Sequence, residues 1–226
     1  AAPTQPVPTV QGKPATVHTP SGEQAATYGL VEAESLQTSH NPFTFGKSSK
    51  YPEGVQERQY HTNKNAQIEV ERMAENLKPE MLVNTDPTAV NGPPQVTPSG
   101  IVLGGNARSM ALRRAYRQGG AEGYRQYLKE HAQEFGLDPA QLDALNNPVL
   151  VRQLTKPPVA PEAMRQLGRD LNRNFTKALS EVEAAVSAGK SISLESAQRI
   201  SAELAKGTET ATLREAMGAN PTVFRD

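Results

Sequence analysis

The six residues Gly104-Gly105-Asn106-Ala107-Arg108-Ser109 have the residue types of an anion grip. The apolar run Ile101-Val102-Leu103 stops at paired glycines, and an Arg- and Ala-rich helical pattern follows at once. Glycine lets the backbone turn sharply and approach a ligand closely. The first amides of a helix and the positive end of its dipole then favour negative charge. Arg108 adds a full charge on a forked donor, and Asn106 stands where its side chain would cap the helix. The pattern predicts a strand, a Gly-Gly turn and a helix closing on phosphate. The plainer alternatives are turn glycines at 104 and 105, and an Arg108 paired with a nearby carboxylate.

Other chemistry-bearing residues are less organised. Arg113, Arg114 and Arg117 follow on the same helical pattern, as a solvated face or as part of a DNA-binding track. His18, His40, His61 and His131 show no metal-ligand spacing, so no metal site is expected. His40 lies in a polar loop, where it could serve as a general base or simply be surface. Glu71 and Glu75 stand four apart and could meet Mg²⁺ brought by phosphates, although a solvated helix face explains them as well. Tyr116, Tyr124 and Tyr127 fall at spacings that suit packing better than base stacking.

These residues need elements to hold them. Thr16–Thr19, a turn at 20–23 and 26–32 read as a hairpin, and 35–60 as a long loop. Val70, Met73, Ala74 and Leu77 make one stripe of a helix over 66–77. Residues 95–97 and 101–103 read as a second hairpin around Pro98-Ser99-Gly100. Helices are expected over 107–117, 121–135, 139–145 and 161–172, with a strand at 148–154. Further helices are expected over 180–188, 194–206 and 209–217.

The 226 residues contain no cysteine, so disulfides and thiolate metal sites are excluded and a cytoplasmic setting is expected. No apolar stretch is long enough to span a bilayer. The chain starts at Ala rather than Met, which suggests a piece of a longer polypeptide. Net charge is zero but uneven: residues 101–180 carry 12 Lys and Arg against 7 Asp and Glu, while residues 1–100 carry 7 against 10. The positive block begins at the Gly-Gly turn, as an anion site would require. The expected organisation is a Pro-rich flexible leader at 1–15, a mixed α/β domain at 16–155, and a helical extension at 156–226.

Gly105-Asn106-Ala107-Arg108-Ser109-Met110-Ala111 resembles the G-x-x-R-x-x-A box of the ParB/sulfiredoxin superfamily. Gln56-Glu57-Arg58 is similar to the Q-x-R element that precedes the first helix of that family. The order helix, Pro-Pro strand entry, short hairpin and box also agrees. Tyr28–Glu32 and Ser39–Phe43 look like the DdrB-like branch found in phage and mobile-element proteins. A later family motif is matched only loosely around Asp170–Phe175: Asn172 stands where the motif has Asn, but Phe175 replaces its Arg, which puts CTP hydrolysis in doubt.

The resemblance implies a small ParB/sulfiredoxin-like sheet with helices, a mixed α+β fold with a C-terminal α-helical extension. It implies that Gln56, Arg58 and Asn172 join residues 104–109 around one phosphate or nucleotide. The ligand would be CTP or ATP, with Mg²⁺ as a companion ion, or DNA, and the module would belong to a larger DNA-processing protein. Two alternatives stay open: a ParB-like DNase or nucleoside triphosphatase using the same pocket, and a protein-interaction module with a vestigial box.

Overall fold

A computed structural model describes Val7 and residues 9–173. Five strands form one mixed sheet in the order β1-β2-β5-β3-β4. β1 (Val10–Thr19) and β2 (Gly22–Glu32) are an antiparallel hairpin, as the alternation across 16–32 predicts. β1 begins at Val10, inside the stretch read as leader, because Val10 and Gln11 pair with Leu30 and Gly29 across a register shift before Pro14. β5 (Pro148–Leu154) lies antiparallel to β2 and parallel to β3 (Gln95–Val96), and β4 (Val102–Gly104) forms the far edge. Central placement explains why β5 reads as a nearly continuous apolar run: it is covered on both faces.

Helices α1 (Lys64–Glu75) and α3 (Asn106–Gln118) pack together through Ala66, Val70 and Ala74 against Met110 and Ala111. The Asn63 side chain caps α1 by accepting from the Ala66 amide. A short α2 (Pro79–Leu82), which the periodicity does not reveal, follows a proline start. The 121–135 pattern splits into α4 (Glu122–His131) and a 3₁₀ turn (Ala132–Phe135) that ends at Gly136. α5 (Pro139–Asp143) opens with a full capping box between Asp138 and Gln141.

α6 (Pro161–Asn172) carries Leu167 and Leu171 into an apolar cluster with Val17, Ala26, Leu103 and Leu154. The helix expected in the extension therefore shares the core of the domain. The helices expected over 180–188, 194–206 and 209–217 lie outside the described residues. No helix among the described residues is long and apolar enough to cross a membrane.

The largest cluster joins β2 and β5 to α4 and the 3₁₀ turn, with Tyr124 fully inside it. The Tyr124 hydroxyl accepts a bond from the Leu150 amide at 3.0 Å. Tyr124→Phe leaves that buried donor without a partner. The expected cost is about 1–3 kcal/mol, a drop in melting temperature of roughly 3–10 °C in a thermal melt.

Candidate functional site

The turn from β4 into α3 forms as the glycines require. Gly104 is buried, and a Cβ there would come within 2.1 Å of the Gln95 side-chain oxygen. Gly105 has φ 83°, a left-handed conformation that only glycine adopts readily, and it occupies the cap position of α3. Asn106 is therefore not the cap. It is the first helical residue, and its buried side chain points into the core. Its Oδ1 accepts from the Ser39 amide at 2.8 Å, and its Nδ2 donates to the Val102 carbonyl at 2.9 Å and the Tyr51 hydroxyl at 3.3 Å. Three partners there outweigh one cap bond. α3 consequently has no side-chain cap, and its first amides lack intrahelical partners.

Those amides belong to residues that line a cavity of about 780 Å³. Its walls come from the 55–60 loop, α1, α2, the 90–91 turn, the start of α3 and the end of α6. Gln56, Arg58, Gly105, Asn106, Ala107, Arg108 and Asn172 all line it, so residues distant in sequence meet there. Gly104 and Ser109 do not; Ser109 is fully buried, and its hydroxyl has no hydrogen-bond partner. The lining adds Lys78 and Arg169, which sequence reasoning missed, and an apolar side of Met73, Met81, Leu82 and Val90. Four cations (Arg58, Lys78, Arg108, Arg169) face one lining carboxylate, Glu57.

Arg108 has no carboxylate partner among the described residues. It is half-buried and folds back over Gly105, where a Cβ would sit 2.8 Å from its Nη2. Nη1 donates to the Gly92 carbonyl at 2.6 Å and Nη2 to the Ala89 carbonyl at 3.2 Å. Burial, with the like charge of Arg152 behind it, pushes its pKa down to about 10, so it stays cationic at neutral pH. Arg58 pairs with Glu69 at 3.3 Å and Arg169 with Glu162 at 3.4 Å, both in exposed surroundings where such pairs exchange easily. Asn172 Nδ2 donates to the Leu103 and Gly168 carbonyls.

Arg113, Arg114 and Arg117 are absent from this lining. Arg113 donates to the Leu36 carbonyl at 3.2 Å. Arg114 donates to the Pro42 carbonyl at 2.6 Å and pairs with Glu71 at 3.2 Å. Arg117 stacks over the Phe43 ring, 4.4 Å from its centre. The three hold the 36–45 segment onto α3. The pairing also engages Glu71, and among the described residues no group of three or more His, Asp or Glu side chains could hold a metal ion.

A family model for the ddrB-like ParB superfamily domain matches residues 20–155. The chain belongs to that superfamily. No curated protein and no solved structure matches it. In this ddrB-like ParB domain, α6 lies beyond the matched residues yet supplies one wall of the cavity.

Behind that cavity sits a histidine pair. His40 is buried, with Nδ1 3.0 Å from the Ser39 hydroxyl and Nε2 3.1 Å from His61 Nδ1. Its ring meets Tyr60, a cavity residue, edge-on at 5.2 Å. Burial first, then His61 and Lys47, push its pKa down to about 4. His40 is thus neutral when folded and near pKa 6.5 when unfolded, so the unfolded chain binds the extra proton between those values. Stability from this group is complete above about pH 6.5 and declines as pH falls toward 4. Urea midpoints measured across that range should fall with pH, and His40→Asn should flatten the slope.

Proposed function

We propose that this ParB-superfamily module binds a nucleotide in the cavity at the start of α3, within a larger DNA-processing protein. The observation that carries this is the charge of the lining: four cations face one carboxylate, at the uncapped N-terminus of a 13-residue helix. Arg108, Arg58, Lys78 and Arg169 would meet the phosphates together with the amides of residues 106–108. The apolar side formed by Met73, Met81, Leu82 and Val90 would take the base.

A concave space of this size suits a nucleoside triphosphate such as CTP or ATP better than a duplex, which docks on extended surfaces. Mg²⁺ would arrive on the phosphates rather than in a cage of protein ligands. DNA binding remains a second role for the same cations, through phosphate contacts.

Calorimetric titration with CTP, ATP and a short DNA duplex, with and without Mg²⁺, tests the proposal. Nucleotide binding is expected, weakened about 10- to 100-fold by Arg108→Ala, the worth of a hydrogen bond to a charged group. Lys78→Ala at the exposed rim should weaken it by only a few fold. A folded Arg108→Ala with unchanged nucleotide affinity would remove the site from the start of α3.

A further inference from the structure

The 86–93 loop contains an arrangement that the pocket chemistry does not use directly. Arg152 projects from the middle of β5 and is 0% exposed, the largest fully buried side chain among the described residues. No carboxylate pairs with it among those residues. Its guanidinium is instead surrounded by backbone oxygens of one loop. Nε donates to the Pro93 carbonyl at 3.1 Å, Nη1 to Asp86 at 2.9 Å and Thr88 at 3.2 Å, and Nη2 to Thr88 and Asn91. Asp86, whose charge is near, directs its carboxylate to Thr88 and Asn91 and so braces the same loop.

Arg108 takes two carbonyls of the same loop, Ala89 and Gly92, from the cavity side. Carbonyls 86, 88, 91 and 93 therefore turn toward one guanidinium and 89 and 92 toward the other. The alternation is possible only if the loop keeps one shape, and Gly92 provides a turn at φ 66°. Arg152 does not line the cavity, whereas Val90, Asn91 and Arg108 do.

We infer that Arg152 is a positioning residue for the anion pocket: it fixes the 86–93 loop, and the loop's outer carbonyls hold the Arg108 guanidinium at the phosphate position. This rests on the nucleotide proposal for what the pocket binds, but the positioning itself is testable without ligand. A single forked donor set serves four carbonyls here. Lysine carries the charge without the fork, so Arg152→Lys should fail as Arg152→Met does.

The first arm is NMR of the ligand-free protein. The Arg108 Nη–H signals should be resolved in the wild type, because hydrogen bonding slows their rotation, and lost in both Arg152 variants while the β2–β5 amides stay protected from exchange. The second arm is affinity for inorganic tripolyphosphate. Each Arg152 variant should lose the same factor as Arg108→Ala, about 10- to 100-fold. The double variant Arg108→Ala/Arg152→Met should lose no more than Arg108→Ala alone. Persistence of the Arg108 signals in a folded Arg152→Met overturns the inference, as do additive losses in the double variant. Retained affinity in Arg152→Lys would mean that charge, not positioning, is what Arg152 supplies.

If the Arg152 variants do not fold, Gly92→Ala takes their place. A side chain at φ 66° is strained. Its Cβ would come within 2.6 Å of Asn84 Oδ1, which holds the Asp86 amide, so the substitution disturbs the loop with both arginines present. Unchanged Arg108 signals in that variant would equally overturn the inference. A wild type that ignores tripolyphosphate would defeat the phosphate reading alone, since the ligand-free arm still decides the positioning.

Discussion

A guanidinium buried without a counter-ion must be solvated by something, and here the solvent is the protein's own backbone. Removing an unpaired charge from water costs several kcal/mol, and each good hydrogen bond to a charged group returns about 1.5–3 kcal/mol. Arg152 meets that cost by collecting the carbonyls of one loop, with the Asp86 charge nearby. A loop of eight residues rich in Pro, Thr, Asn and Gly would otherwise have many shapes open to it. The requirement that a buried charge be satisfied removes most of them.

The sheet decides where that charge sits. Arg152 pairs with Tyr28 on one side and Gln95 on the other, so the parallel β3–β5 contact brings Pro93 and Pro94 beside it. β3 then turns back through β4 into α3, delivering Gly105 and Arg108 to the same end of the sheet. The cavity lies where the 55–60 loop, the 90–91 turn and four helices come near one another. None of its walls is a continuous element, which is why residues from 55 to 172 contribute to it.

Most elements were legible in the sequence because their signals are local. The alternation of 16–32, the stripe of Val70 and Ala74, and the Asp138-Pro139 start each fix an element within a few residues. The grouping of Gln56, Arg58 and Asn172 with the 104–109 turn could be anticipated only from the resemblance, and the structure places those three in the cavity lining. What stayed hidden was the use made of each side chain. Asn106 has a capping residue's identity, yet buried partners at Ser39 and Val102 claim it. Arg113 and Arg114 look like a surface track, yet distant carbonyls at Leu36 and Pro42 take their donors. Such long-range partners have no periodicity to reveal them. An arginine within Val149-Leu150-Val151-Arg152 was the one visible oddity, since a charge in a central strand must find partners somewhere.

Holding the 86–93 loop by its main chain has a consequence for how such a pocket diversifies. Backbone carbonyls are the same whatever side chain they carry, so the grip does not read the sequence of the loop it holds. Half-buried Val90 lies on that frame in the cavity lining, whereas the exposed Asn91 is tied to the frame by its bond to Asp86. The residue at position 90 can change while Arg152 keeps the frame in place, so the cavity wall can drift without threatening the scaffold that supports it. A family sharing this scaffold could acquire different specificities by exchanging a few rim residues, with Gly92 and the two arginines as its fixed points.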